Sequence, residues 1–288
     1  MTSAHSPFKP WEDGLKKWIS EKKISSKDLS SIVGLNTLTR IWLEGAALTA
    51  IDDWQSFAEC WHDKLLQKCL EVTTNRLKNG ECPGSPENWR FKPVPEISIQ
   101  NKSLEKCLEK AIAQLACDKR PGWVDWANQV PVASGIVDRY TDKKRAIDLV
   151  KRIASEKFQF IELKTGSDNP FYAAHELLGY FAFYLFARNS SKQLPRNRSP
   201  QPELLSAKRI ELIVLAPVSF YNFPKWDERR ARIQMAYDKL ANKFSKGAFE
   251  VKFEFQTLDE MFPPGAQQNE LKKQASTNFA EEWSGIWK

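Results

Sequence analysis

Two apolar runs set three residues apart constrain this chain more than any other feature. Arg145–Ile153 (RAIDLVKRI) and Lys157–Lys164 (KFQFIELK) are each of strand length, with only Ala154-Ser155-Glu156 between them. A connection that short closes as a β-hairpin. The apolar positions are consecutive rather than alternate, so the hairpin is expected to be buried on both faces beneath covering helices. If Ile153 pairs with Lys157, Asp148 stands opposite Glu162 and Lys164 follows two residues later. Facing residues of an antiparallel pair project to one side, so all three share a face. Phe158 and Phe160 belong to that face, and Ile161 and Leu163 to the other. A slip of one residue would part Asp148 from Glu162.

The flanking patterns extend this hairpin into an α/β unit. Ser103–Ala116 carries Leu104, Leu108, Ala111 and Leu115 at helical spacing, and Trp126–Ile136 reads as a strand. After the turn-like Thr165–Asn169, Asp168 or Asn169 can cap a helix with Pro170 in its first turn. That helix runs to about Arg188 and is apolar nearly all round, so it should be buried. Arg209–Ala216 is a further strand, Trp226–Phe244 a helix and Phe249–Gln256 a last strand. Upstream, Trp11 to Lys78 is helical in pattern, with Trp11, Trp18, Trp42, Trp54 and Trp61 as core or interface residues. Ser26–Gly45 has a faint helix-turn-helix spacing that a plain helical hairpin explains better. Pro83, Pro86, Pro93 and Pro95 mark Gly80–Pro95 as a linker. The expected division is residues 1–95 as an N-terminal helical module and linker, 96–262 as the core, and 263–288 as a C-terminal tail. Trp283 and Trp287 suggest that the tail docks, on the body or on a partner.

Composition narrows the function classes. No apolar run approaches the roughly 20 residues that span a bilayer, and Met1–Pro10 is polar. Five cysteines without a CxxC pair, beside three histidines, argue against a zinc cluster and a disulfide framework. A reduced, cytoplasmic protein with no membrane partner is the expectation. The formal net charge of +7 favours a polyanionic partner.

The chemistry converges on Asp148, Glu162 and Lys164. Acid-x-Lys also begins at Glu21, Asp142, Glu250 and Glu270, but only Glu162 ends an apolar strand whose neighbour bears an acid. Two adjacent carboxylates repel unless a cation lies between them. Hard oxygen ligands suit Mg²⁺ or Mn²⁺, which take one or two carboxylates and retain waters.

Asp148 followed by Glu162-x-Lys164, between a leading helix and a buried following helix, resembles the PD-(D/E)XK nuclease superfamily over Ser103–Ala216. The resemblance implies a restriction-endonuclease-like αβββαβ core, a mixed central sheet flanked by helices, here with the N-terminal helical module. It implies a metal-dependent endonuclease acting on DNA with Mg²⁺ (or Mn²⁺), of the kind found among restriction and antiviral defence effectors. Asp148 and Glu162 would be metal ligands, with the backbone carbonyl of Leu163 as a third and Lys164 as the catalytic lysine. The leading helix often adds an acid, and Leu108-Glu109-Lys110-Ala111-Ile112 points to Glu109 rather than Glu105. Two departures stand out. Ile147 replaces the proline, and in the stretch comparable to Gln-x-x-x-Tyr, Glu176 replaces glutamine while Tyr180 is kept. Arg188, Lys192, Arg196 and Arg198, free of acids between Glu176 and Glu203, and His175 are candidate nucleic-acid contacts. The helical module or the tail would serve any protein partner. Rival readings are a ribonuclease and a catalytically silent nuclease fold that binds nucleic acid or assembles with a partner.

Overall fold

A computed structural model of the chain describes residues 55, 59, 70–71, 73–80, 85, 87–96, 103–132, 146–166, 170–189, 203–263, 265–275, 283 and 285–287. The N-terminal tryptophans and the helix-turn-helix-like stretch lie outside these residues, as do the Asp168/Asn169 cap and the loop with Lys192, Arg196 and Arg198. The elements in order are α1 (Leu104–Cys117), β1 (Trp126–Pro131), β2 (Ala146–Ala154), β3 (Lys157–Leu163) and α2 (Pro170–Asn189). They continue with β4 (Arg209–Ala216), α3 (Trp226–Ser245), β5 (Glu250–Thr257), a single turn α4 (Leu258–Met261) and α5 (Ala266–Ala275). The five strands form one mixed sheet in the order β1-β2-β3-β4-β5. β1, β2 and β3 run antiparallel in turn, while β4 and β5 add parallel through the α2 and α3 crossovers. No helix among the described residues is long and apolar enough to cross a membrane.

Local chemistry accounts for the element ends. Ser103 caps α1 by accepting from the Lys106 N–H, and Leu108, Ala111, Ile112 and Leu115 line its buried face. The β2–β3 hairpin holds the expected inner register, with Leu149 opposite Ile161 and Arg152 opposite Phe158. Its end differs from expectation: Ala154, not Ile153, pairs with Lys157, and the register shifts between Arg152 and Ala154. Ile153 is the extra residue and is exposed, and Glu156 adopts φ 58° in the tighter turn. A one-residue bulge absorbs the shorter turn, so the inner pairs keep their partners.

Two cores sandwich the sheet. Phe158, Phe160, Leu212, Val214, Phe253 and Phe255 pack beneath α2 and α3. Leu149, Ile161, Leu163, Ile213 and Leu215 pack beneath α1, α5 and Trp283. The consecutive apolar positions of β3 and β4 thus serve opposite faces.

Both sheet edges are closed by side chains or irregular backbone, which blocks pairing with another chain. On α3, Arg230, Gln234 and Asp238 recur every four residues and bond the outer edge of β5, at Phe255 O, Phe253 O and Phe253 N. At the other edge, Trp89 N–H donates to Pro131 O at 2.7 Å and Val94 N–H to Asn128 Oδ1 at 2.6 Å. Residues 87–95 of the segment expected to be a linker are therefore built into the domain, with Trp89 2 % exposed. Proline fits there because a strap needs few backbone donors. Of the expected C-terminal tail, Leu271 and Trp283 are likewise buried against α1 and its neighbours. Gln55 and Glu59 meet α3 through Lys239 and Lys243.

Candidate active site

The order of strands and helices gathers charged groups at one end of the sheet. Asp148 lies near the start of β2, Glu162 at the end of β3 and Lys164 just beyond that end. The first turns of α1 and the N-terminal half of α2 lie against the same end, outside the carboxyl ends of the parallel strands, where open α/β sheets bind ligands. Asp148, Glu162 and Lys164 are 7 %, 3 % and 4 % exposed, so each must be matched by partners or by a ligand.

Lys164 is the hub. Its Nζ donates to Glu162 Oε1 and to Glu176 Oε2, each at 2.8 Å, and lies 5.5 Å from the Tyr172 ring centroid. Tyr172 in turn donates to Glu176 Oε1 at 2.9 Å. Its backbone is tied to β4 by Lys164 N–H donating to Leu215 O. Asp148 accepts from Leu163 N–H on Oδ2 at 3.2 Å, and from Lys106 Nζ and Gln129 Nε2 on Oδ1 at 3.2 and 3.4 Å. Asp148 and Glu162 therefore sit on adjacent strands in one charged centre.

Acids outnumber cations here. Burial foremost, then Asp148 and Glu176, pushes Glu162 well above the usual carboxylate range, against the pull of Lys164. Burial above all raises Glu105 to about 7; Lys164 and Lys106 oppose the rise, and Asp148 and Glu176 add to it. Lys164 is drawn down by burial, but Glu162, Glu176, Glu105 and Asp148 outweigh that and hold its ammonium charged. The Tyr180 phenol is pushed up by burial and by Glu162, Glu176 and Asp148, so it stays a donor. Glu162 Oε2 is buried with no hydrogen-bond partner. A carboxylate oxygen left so, beside a second carboxylate, suits a hard cation. Among the described residues, no three His, Cys, Asp or Glu side chains form a ready-made cage. A small ion that keeps its waters and takes one or two carboxylates still fits such a site.

The structure rearranges the remaining expectations. Glu109, favoured over Glu105 on spelling, is fully buried with both oxygens occupied, by Lys106 Nζ and Gln129 Nε2 on Oε2 and by Asn128 Nδ2 on Oε1. It could not ligate a metal without dismantling that cage. Glu105, one turn earlier, is the leading-helix acid that faces Lys164 and Asp148. Glu176 and Tyr180, noted only as a departure and a match, both lie in the field of the site. Lys106 and Gln129 were missed, because nothing in their sequence neighbourhood sets them apart from solvated positions. The Leu163 N–H is held by Asp148.

The expected nucleic-acid contacts fare differently. His175 is 2 % exposed within α2, so it presents no surface to a phosphate. Arg188 lies twelve residues beyond Glu176, about 18 Å along the helix axis. It donates to Tyr184 Oη and Ala207 O at 2.9 and 2.6 Å and lies 4.3 Å from the Phe249 ring centroid. That pins the helix end rather than gripping a strand. Arg188→Ala is expected to cost about 1–3 kcal/mol of stability. Denaturant melts check this.

No protein-family model matches the chain, and no curated protein or solved structure matches it.

The raised carboxyls make stability depend on pH. A group that binds its proton more tightly when folded favours the fold at low pH, and this contribution is lost as pH rises from the ordinary glutamate value toward the folded one. Glu105, facing Lys164, Lys106, Asp148 and Glu176, and Glu162, facing Asp148, Lys164 and Glu176, act in the same sense. In chelator the melting temperature should fall from about pH 5 to about pH 8. Thermal melts across that range check this; a melting temperature flat with pH would contradict the raised carboxyls.

Proposed function

We propose that this chain is a restriction-endonuclease-like, Mg²⁺-dependent nuclease that hydrolyses DNA phosphodiester bonds. One observation carries the reading: Glu162 Oε2 is buried and unpartnered in a centre where Asp148, Glu162, Glu105 and Glu176 outnumber Lys106 and Lys164. A site so rich in acids repels a polyanion unless a divalent cation mediates, and an overall charge of +7 favours nucleic acid elsewhere on the surface. Asp148 and Glu162 would hold the ion, with the Leu163 carbonyl beside them. Once bound, it would polarise a phosphoryl oxygen and make a bound water more acidic.

The protein's own groups supply the rest. Lys164 keeps its proton, so it stabilises negative charge developing on the phosphoryl oxygens rather than abstracting a proton. Glu176, braced by Tyr172, orients that ammonium. Tyr180 stays protonated and available to donate. A role in the cytoplasm as a restriction or anti-phage effector extends the resemblance noted in the sequence.

The test is incubation of the purified full chain with plasmid, linear and single-stranded DNA and with RNA, each with Mg²⁺, Mn²⁺ or chelator. Metal-dependent cleavage of DNA is expected. Cleavage of RNA alone would make it a ribonuclease. Binding without cleavage, and no heat on titration with Mn²⁺, would leave a silent scaffold.

A further inference from the structure

Lys106 occupies the side of Asp148 from which a cation would be welcome. Its Nζ is 3.2 Å from Asp148 Oδ1 and 2.6 Å from Glu109 Oε2, so one ammonium bridges two acids. Gln129 Nε2 bridges the same two oxygens, at 3.4 and 2.8 Å. Gln129 achieves this from within β1 at φ 45°, a left-handed conformation that a non-glycine residue adopts only when its surroundings demand it. Its neighbours Asn128 and Val130 pair with Leu149 and Ile147, which sets Gln129 against Asp148. The backbone is thus bent to serve the Asp148–Glu109 pair.

The two acids are not equivalent. Burial pushes the Glu109 carboxyl up, but Lys106, Gln129 and Asn128 donate to both its oxygens and hold it as an anion, with Lys106 as its counter-charge. Asp148 borders the centre with the unpartnered Glu162 oxygen. The Lys106 side chain is 29 % exposed, which leaves it room to move. We propose that Lys106 is a built-in counter-ion that neutralises Asp148 in the metal-free protein and withdraws onto Glu109 when a divalent cation binds. Glu109 is then a holding acid rather than a ligand, and the Lys106–Glu109 pair sets the affinity of the site for metal. The inference rests on the metal-dependent reading above.

The experiment is calorimetric titration of Mn²⁺ into the full-length protein, without nucleic acid, for wild type, Lys106→Met and Glu109→Gln. Lys106→Met removes the competing charge and should bind Mn²⁺ roughly tenfold more tightly. Glu109→Gln removes the retreat and should bind it roughly tenfold more weakly. The double variant should follow Lys106→Met, because a holding acid matters only while there is a cation to hold. Lys106→Gln, which keeps a donor for both acids, should also tighten binding and serves if the methionine variant does not fold. Opposite signs for neighbouring residues separate this role from a structural one, which would weaken binding in both. If both shift the same way, or neither lysine variant changes the affinity, the inference is overturned while wild-type binding leaves the metal reading intact. If wild type binds no Mn²⁺, both fall.

Discussion

Asp148→Ala, Glu162→Ala and Lys164→Ala are each expected to slow DNA cleavage by about 10³-fold or more, with combinations no worse than the singles. Groups that act as a unit lose their effect together, so the rate alone does not say what each contributes. Stability separates them. Lys164→Ala strips the cation from Glu162 and Glu176 and leaves buried charge uncompensated, at a cost of about 3–5 kcal/mol. Glu162→Gln acts in the other direction, because it relieves the repulsion with Asp148 and Glu176 while Lys164 keeps Glu176 as a partner. Its melting temperature in chelator should equal or exceed that of wild type although cleavage is lost. An incidental ion pair would behave otherwise, with either half destabilising the fold when removed. A Glu162→Gln variant as unstable as Lys164→Ala, or one that cuts at the wild-type rate, would sink the assignment. Glu105→Ala should slow cleavage to a lesser degree.

Trp89→Ala is expected to cost about 3–5 kcal/mol, as large as any single core truncation in the chain. Trp89 lies 6.3 Å from Phe160 and 5.5 Å from Tyr184 between ring centroids, and its backbone N–H closes onto the end of β1. Removal would open a cavity under β3 and α2 and free the strap at the sheet edge. A fragment beginning at residue 97 should accordingly fail to fold cooperatively, whereas a dispensable linker would leave it stable. Chemical denaturation of the variant and of the fragment decides between the two. Preserved cooperativity in the fragment would refute the integration of residues 87–96.

Much of the frame was readable from local rules. Strands buried on both faces announce themselves by consecutive apolar residues, and β3 and β4 do so. The pairing of Leu149 with Ile161 follows from a short connection and the two-residue period of strands, since a slip would expose one whole face. Even the misjudged hairpin end left that register untouched, because a bulge at Ile153 took up the difference. These properties depend on neighbours along the chain, so the chain alone reveals them.

What stayed hidden depends on contacts between distant segments. Glu105 and Glu109 are one helical turn apart and spelled alike, and only the docking of α1 on the sheet turns one toward Lys164 and seals the other under Lys106, Asn128 and Gln129. Gln129 acquires its role from a backbone angle that no pattern of side chains encodes. Arg188 looks like a phosphate contact in a basic stretch, until Tyr184, Ala207 and Phe249 close around it. Trp89 sits among prolines that signal a linker, yet the open edge of β1 and the gap beside Phe160 bind it. Burial and field are properties of surroundings assembled from all over the chain, and they settle what a charged or aromatic side chain does.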